Sequence, residues 1–271
     1  MPIIPVSNLQ DSRLDPYRSV RAANLTCFSG RFIVEGRLLL ERLLASDFAV
    51  ESLLVDENRL DVVRQYEIGD IPTLVLPGDA LKDLVGFPFH RGIMACGLRK
   101  ENPALGDVLP PYPQPASAVV CISIRNPENM GGILRNCAAF GVDAVILGPG
   151  CCDPLSRRVS RVSMGAAWQL AVIQPADCDA VFHELSRTFR MQTFATVLDS
   201  SAESLYGLRA PHRFALVFGS EGFGLEATWI ERCHRQLTLP MQRQTDSLNV
   251  AVASGIFLFA MKQPNSPDLP P

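Results

Sequence analysis

The second half of the chain alternates short, continuously apolar segments with segments of helical periodicity. The apolar segments are residues 119–124, 144–147, 170–173, 193–198, 214–218 and 236–239. Strands that are apolar along their whole length and separated by helices are typical of parallel sheets covered on both faces. The pattern therefore predicts an α/β domain in which ligands bind beyond the carboxyl ends of the strands. Residues 248–261 are expected to close this domain as a core helix, too short to span a bilayer.

A shorter alternation precedes this domain. Residues 32–34, 50–55, 72–76 and 92–98 are candidate strands, and residues 36–44, 57–66 and 79–85 are candidate helices. Residues 31–100 are therefore expected to form a smaller α/β domain. Residues 1–30 are expected to be a lead-in segment with a helix near 16–25.

Prolines separate the two halves of the chain. The segment 101–117 contains Pro103, Pro110, Pro111, Pro113 and Pro115. Because proline fixes φ and cannot donate a backbone hydrogen bond, this segment is expected to be a stiff, extended linker. Residues 118–262 then form the second domain. The tail, 263–271, is rich in proline and polar residues and is predicted to be disordered.

Charge and cysteine content limit the classes of partner. The net charge of −3 gives no global positive field, so a nucleic acid would have to meet a local basic patch. Arg157, Arg158 and Arg161 could form one, although a solvated face is the alternative. The 8 cysteines include no Cys-x-x-Cys pair, and the 4 histidines do not flank them at ligand spacing. We therefore expect no metal site, free thiols and, without a secretory signal, a cytoplasmic location without membrane association.

Three blocks of glycine and polar residues follow candidate strands, at residues 126–136, 218–225 and 239–250. Such residues beside apolar segments suit a site where a ligand approaches the backbone. Each block also has a structural alternative: a surface salt bridge for Arg135, a tight turn for 219–224, and a helix N-cap for Ser247. Asn249 is harder to explain by capping. The second block has neither the spacing of a dinucleotide fingerprint nor the Gly-Lys-Ser/Thr end of a P-loop.

Taken together, the blocks resemble a known family, the SpoU (TrmH-type) branch of the SPOUT RNA methyltransferases. That family has an Asn-x-Gly-x-x-x-Arg block, a Gly-x-Glu-Gly-x-Gly block and a Pro-Met…Ser-Leu-Asn-Val block, here at residues 129–135, 219–224 and 240–250. The resemblance covers about residues 118–262. The motifs at 32–36 and 92–95 also resemble the ribosomal-protein-like substrate-binding domain that many members carry.

This resemblance implies a parallel-sheet domain with a deep trefoil knot and a smaller N-terminal α/β RNA-binding domain. It implies methyl transfer from S-adenosylmethionine to a ribose 2′-hydroxyl in RNA by a homodimer, and ribosomal RNA is the expected substrate. The alternatives are transfer RNA as the substrate, or a catalytically silent RNA-binding module of the same fold. The chain departs from the family pattern at Asn136 and Cys137, where Thr-Ala is common, and at Arg243, where glycine is common.

The same resemblance assigns roles to residues. Arg135 would hold the acceptor ribose or its phosphate and stabilise the developing alkoxide, because a guanidinium stays protonated and cannot act as a base. The other expected catalytic residues orient the acceptor and Arg135 or fix the first loop: Glu221, Ser247, Asn249 and Asn129. The cofactor would contact Leu198, Gly219, Leu239 and Leu248. The expected contacts to RNA phosphates are Arg157, Arg158 and Arg161.

Overall fold

The computed structural model describes residues 1–18, 29–86, 89–243 and 246–263. Its strands are β1 (Ile3–Pro5), β2 (Arg31–Glu35), β3 (Val50–Asp56), β4 (Thr73–Leu76), β5 (Ile93–Leu98), β6 (Ala116–Cys121), β7 (Ala144–Leu147), β8 (Ala171–Ile173), β9 (Gln192–Val197), β10 (Glu203–Ser204), β11 (Arg213–Phe218) and β12 (Arg235–Thr238). Its α-helices are α1 (Arg37–Leu44), α2 (Leu60–Val63), α3 (Gly78–Val85), α4 (Leu105–Val108), α5 (Pro127–Ala139), α6 (Arg157–Val162), α7 (Cys178–Arg187), α8 (Ala227–Ile230) and α9 (Val250–Lys262).

The chain divides into two compact units. Unit 1 comprises residues 1–101 and 155–168, and unit 2 comprises residues 102–154 together with the chain from 169 onward. The predicted domains differ from this division first at residues 155–168, which were expected in the second domain. They belong to unit 1 because α6 packs against β2 and the rings of Phe32 and Trp168 lie 6.1 Å apart.

Unit 1 is built on a mixed sheet in the order β1–β4–β3–β5–β2. β1 and β3 run parallel to β4, whereas β2 and β3 run antiparallel to β5. The four predicted strands and the helices α1 and α3 occur where expected, within a few residues. The predicted helix 57–66 is shorter, because a 3₁₀ turn at Glu57–Arg59 precedes α2.

The first residues of the chain belong to this fold instead of leading into it. β1 extends the sheet at its edge, and a 3₁₀ helix, Ser12–Tyr17, buries Leu14 and Tyr17 completely. The Tyr17 hydroxyl donates a 2.9 Å hydrogen bond to the carbonyl oxygen of Ser52. Residues 19–28, which hold most of the helix predicted near 16–25, lie outside the described residues, as do residues 264–271 of the predicted disordered tail.

Unit 2 confirms the predicted α/β fold with a parallel sheet. Its strands follow the order β10–β12–β9–β11–β6–β7–β8, and every neighbouring pair is parallel. β6 and β11 lie at the centre of the sheet and are buried along their whole length. β6 begins earlier than predicted, at Ala116, and ends at Cys121.

The proline-rich segment is not an extended linker. α4 fits between Pro103 and Pro110, and Leu105 and Leu109 are buried in the core of unit 2. Arg213, at the start of β11, donates a 3.0 Å hydrogen bond to the carbonyl oxygen of Pro110. The prolines flank a short helix, and their carbonyl groups remain available as acceptors, so the segment packs against the sheet.

α9 completes unit 2 by packing against α5. The two helices are close because Gly132 has no side chain: a Cβ atom there would lie 2.6 Å from the Cβ atom of Ala251. The Asn136 amide donates to the Ala251 carbonyl oxygen at 2.7 Å and to the Ser254 hydroxyl at 3.0 Å. Asn136, which departs from the family pattern, therefore ties α5 to α9. None of the helices in the described segments combines the length and apolar character needed to cross a membrane.

Candidate active site

The carboxyl ends of β9, β11 and β12 open onto a cavity of about 390 Å³. Its walls come from the residues that follow each strand and from the first turns of α9. This volume lies in the range of small-molecule sites, which are typically about 300–1,000 Å³. The cavity is therefore placed where parallel α/β sheets bind their ligands.

All four residues predicted to contact the cofactor line this cavity: Leu198, Gly219, Leu239 and Leu248. Leu198 is 65% exposed and Leu248 is 37% exposed, so both present apolar surface that a flat aromatic ligand could cover. The structure brings the four residues together, and their role in binding stays a prediction.

Gly219 shapes the loop that follows β11. Ser220 and Gly224 form a bridge in which each backbone N–H donates to the other carbonyl oxygen, at 3.0 and 2.9 Å. The loop folds back so tightly that a Cβ atom at Gly219 would lie 2.3 Å from the carbonyl carbon of Gly224 and 2.5 Å from the nitrogen of Leu225. Only glycine fits at this position, because the atoms in the way belong to the backbone.

Two carboxylates line the same cavity, those of Glu221 and Asp199. Hydrogen bonds from the backbone N–H and hydroxyl of Ser201, both 2.8 Å, lower the pKa of Asp199, so it is ionised at neutral pH. The sequence patterns had given Asp199 no role, although its place directly after β9 could have indicated one. Phe223, also unassigned from the sequence, is 96% exposed at the tip of the loop after β11.

A chain of hydrogen bonds connects Glu221 to the N-terminus of α9. The side-chain oxygen of Asn249 accepts from the backbone N–H groups of Ala251 at 2.9 Å and Val252 at 3.3 Å. Its amide nitrogen donates to the side-chain oxygen of Asn129 at 2.7 Å. The Asn129 amide nitrogen in turn donates to Oε1 of Glu221.

The direction of this chain is fixed by the helix. Backbone N–H groups can only donate, so the Asn249 oxygen must face them and its amide must point toward Asn129. The same logic turns the amide of Asn129 toward Glu221. Asn129 is 6% exposed, and both ends of its amide are paired, as expected of a buried polar group.

Asn249, and not Ser247, is the N-cap of α9, which corrects the structural alternative given for Ser247. Ser247 lines the cavity. Asn126 caps α5, and Pro127 occupies its first turn, so this helix begins before the Gly131-Gly132 pair where the sequence had placed its start. Both helices therefore direct their amino ends, with orphan N–H groups, toward the region of Asn129 and Asn249.

Arg135 does not join this group. It lies six residues after Asn129 on α5, and at 100° per residue it points away from the face that carries Asn129 and Asn136. Its side chain is exposed and makes no hydrogen bond or ion pair within the part of the chain that the structure describes. The expected orientation of Arg135 by Glu221, Ser247 and Asn249 is thus not present, and its contact with an acceptor stays a prediction.

The three arginines predicted to bind RNA lie on α6, in unit 1. Arg157 donates a 2.8 Å hydrogen bond to Oε2 of Glu35, and Arg161 approaches the same oxygen at 3.9 Å. Arg158 is exposed. Within the described segments, no group of three or more His, Cys, Asp or Glu side chains could hold a metal ion.

Arg243, a further departure from the family pattern, has a backbone conformation that favours glycine. Arg243 has a φ of 56°, in the left-handed region that favours glycine. The glycine that is common at this position in the family would adopt this backbone conformation without strain.

Comparisons with known proteins show the family of this chain. The family model described as the SpoU rRNA methylase family matches residues 116–259. An uncharacterized tRNA/rRNA methyltransferase of Mycobacterium tuberculosis is 32% identical, over 94% of this chain and 90% of its own length. The 23S rRNA guanosine 2′-O-methyltransferase RlmP of Bacillus subtilis is 26% identical, over 95% of this chain and 98% of its own.

A solved structure of an RNA 2′-O ribose methyltransferase superimposes with a TM-score of 0.74 at 25% identity and covers 96% of this chain and 97% of its own. Residues 116–259, which the family model matches, include the cavity and the three residues of the hydrogen-bonded chain, Glu221, Asn129 and Asn249. The family match spans more than half of the sequence, and the relatives match nearly all of it. The protein belongs to the SpoU rRNA methylase family.

Proposed function

We propose that the protein transfers a methyl group from S-adenosylmethionine to a ribose 2′-hydroxyl in ribosomal RNA. The observation that carries this proposal is the cavity at the ends of β9, β11 and β12, with a directed chain of hydrogen bonds ending on Glu221 at its wall. The relative RlmP is named for this reaction on 23S rRNA. A cytoplasmic location stays a prediction.

The cavity fits S-adenosylmethionine in size and chemistry. Leu198, Leu239 and Leu248 offer apolar surface for an adenine ring, and the tight turn at Gly219 exposes backbone groups for hydrogen bonds. Asp199 adds a negative charge that suits a ligand with ribose hydroxyls and positive charges. When bound, S-adenosylmethionine supplies an electrophilic methyl group.

The residues of this chain then have to place and activate the acceptor. Oε1 of Glu221 is held by Asn129, whereas Oε2 makes no hydrogen bond within the described residues and can accept one from the acceptor hydroxyl. An in-line displacement depends mainly on such positioning. We assign to Arg135 the contact to the ribose or its phosphate, where a permanent positive charge stabilises the developing alkoxide.

We also propose that the end of the chain is knotted. β12 lies between β10 and β9, but α9 packs on α5, the helix that follows β6. Leu239 and Met241, after β12, and Ser247 and Leu248, before α9, line the cavity at the ends of β9 and β11, beside the loop at 219–224. A deep trefoil knot, as in the family, is consistent with this path. We assign unit 1 to RNA binding, since it carries the α6 arginines.

The direct test combines the purified protein with labelled S-adenosylmethionine and unmodified ribosomal or transfer RNA. We expect label in alkali-resistant dinucleotides from ribosomal RNA, because a 2′-O-methyl group blocks alkaline cleavage. Arg135→Ala should lower kcat by about 10²-fold, the effect of removing one charge-stabilising group. Arg187→Ala, an exposed arginine on α7, is the control.

Alkali-resistant label in transfer RNA alone would change the substrate. A protein that binds RNA without producing label would be the silent module, and absence of cofactor binding by calorimetry would exclude the enzyme. Full turnover by Arg135→Ala would remove the role of Arg135 but not the family.

We propose that two copies associate through α9. This helix exposes Val252 (54%) and Phe259 (57%), which lie on one face because they are seven residues apart. Phe259 also packs against Phe140, with ring centroids 6.5 Å apart. Apolar side chains exposed together on an otherwise buried helix are typical of an interface, and a self-complementary face gives a dimer.

A double substitution, Val252→Glu with Phe259→Glu, should therefore convert a dimer to a monomer in sedimentation experiments. The added charges would have to be buried at the interface, which is strongly unfavourable. Tyr206→Glu, at a side chain that is 72% exposed, should leave the mass unchanged. A dimer that persists in the double variant would place the interface elsewhere.

A further inference from the structure

Unit 1 contains a second cavity, of about 390 Å³, between α1 and α6. Three of its lining residues are arginines, Arg91, Arg158 and Arg161, and the rest of its wall is aliphatic or thioether. No acidic side chain is among the described residues that line it. We refer to this cavity as the arginine pocket.

A buried carboxylate organises the arginines around this pocket. The side chain of Glu35 is 7% exposed, and three guanidinium groups approach it. Arg157 lies 2.8 Å from Oε2, Arg161 lies 3.9 Å from Oε2, and Arg91 lies 3.7 Å from Oε1. Three guanidinium groups thus surround one carboxylate, in a protein whose net charge is −3.

Gly36 makes room for Arg91 in this arrangement. Its φ of 94° lies in the left-handed region, and a Cβ atom there would be 2.9 Å from Cδ of Arg91 and 3.1 Å from a guanidinium nitrogen. The stem of Arg91 therefore lies against the backbone beside Glu35, and its side chain stays 50% exposed. An arginine that is held beside Glu35 while half of its side chain stays exposed is prepared to bind a ligand at low entropic cost.

We propose that the arginine pocket binds a phosphate group of the substrate RNA, with Arg91 as a direct contact and Glu35 as a positioning residue. The inference rests on the proposed RNA substrate. Guanidinium groups match phosphate oxygens in geometry and charge. Because the protein has no net positive charge to attract a polyanion, a local cluster of arginines has to supply the attraction. The aliphatic wall beside the arginines suits the ribose that follows a phosphate.

The first test measures RNA affinity as a function of salt, with catalytically active wild-type protein as the reference. Arg91→Gln should weaken binding about 5- to 10-fold and reduce the salt slope by about 0.7, the value for one phosphate contact on a single strand. Arg64→Gln is the matched control, because Arg64 is similarly exposed, belongs to unit 1 and is paired with Asp61 at 3.0 Å. It should change affinity less than twofold.

Glu35→Gln tests whether Glu35 positions the arginines of the pocket or affects RNA binding only through its negative charge. The substitution adds one net positive charge, so a purely electrostatic effect would tighten RNA binding. Loss of the group that holds Arg91, Arg157 and Arg161 should instead weaken it, while cofactor affinity stays unchanged. If this variant does not fold, the comparison of Arg91→Gln with Arg64→Gln decides alone.

The outcomes separate this inference from the proposed function. Wild-type protein that neither binds nor methylates RNA would overturn the proposed function itself. Wild-type protein that methylates RNA, together with an Arg91→Gln variant of equal affinity and salt slope, would overturn the pocket alone. Calorimetry with inorganic phosphate should show only weak binding, and binding tighter than that of an RNA fragment would make the pocket a free-anion site.

Discussion

Replacing Asn129 with alanine is expected to lower kcat for methyl transfer by about 10²-fold, the cost of a misplacement of about 1 Å at a reacting group. Asn129 is the middle member of the hydrogen-bonded chain, so its loss frees Glu221 and leaves the Asn249 amide without its acceptor. Single-turnover rates with saturating RNA and cofactor are the measurement, because they report the chemical step.

Asn136→Ala is the matched control for this substitution. Asn136 lies on the same face of α5 and also bonds to α9, but through Ala251 and Ser254, outside the site. Its loss should cost about 1–3 kcal/mol of unfolding free energy and leave kcat unchanged. Equal effects of the two substitutions on kcat would show that Asn129 acts only by holding the helices together.

The pH profile of Asn129→Asp is a further measurement, because it would not change if Asn129 had only a structural role. It places a second carboxyl group beside Glu221, and the repulsion between two like charges raises the pKa of the new group. With one shared proton the new side chain can still donate to Glu221, but above the raised pKa both groups are ionised and repel. The variant should therefore lose activity as pH rises, and an unaltered pH profile would contradict the directed chain.

The second large effect is expected at Gly219. Gly219→Ala should weaken S-adenosylmethionine binding at least about 10²-fold, because its Cβ atom would lie 2.3 Å from the carbonyl carbon of Gly224. The backbone of Gly224 and Leu225 cannot move aside without opening the turn that lines the cavity, and distortion of this kind typically costs about 1–3 kcal/mol. Calorimetry with the cofactor measures the effect directly.

Gly222→Ala, in the same loop, is the control. A Cβ atom at Gly222 meets nothing within 4 Å, so the loop should keep its shape and the affinity should stay within about threefold. If both substitutions abolish binding, the loop is sensitive to any side chain, and the clash at Gly219 is not the cause. If neither does, the cofactor does not depend on this turn.

The sequence predicted the sheet of unit 2 and the edge of the sheet where the cavity lies because both depend on local signals, whereas the residues expected to contact the cofactor came from the family resemblance. Continuous apolar segments located the strands, and the glycine and polar blocks at their ends located the site. The proline-rich segment was predicted wrongly, since proline restricts its own φ but does not prevent the four residues of α4 from forming a helix between two prolines. No local pattern revealed that Leu105 and Leu109 are buried.

Contacts between residues far apart in the sequence explain most of the remaining differences between the predicted and the observed structure. Residues 155–168 group with unit 1 because of contacts with β2, which is more than a hundred residues earlier in the chain. The N-cap of α9 is Asn249 and not Ser247, since both are good capping residues and only the packing of α9 against α5 selects between them. Arg135 lies away from Asn129 because both belong to α5, whereas the sequence had placed the start of this helix at Gly131-Gly132 and left Asn129 in a loop.

The N-cap of α9 connects the orientation of Glu221 to the folding of this helix. The side-chain oxygen of Asn249 accepts two backbone hydrogen bonds from α9, the last helix of the described chain. Its amide therefore donates to Asn129, and Asn129 donates to Glu221. Before α9 has formed, nothing orients the Asn249 amide, and the carboxylate at the cavity has no fixed donor. We therefore expect a chain in which α9 has not formed to be inactive.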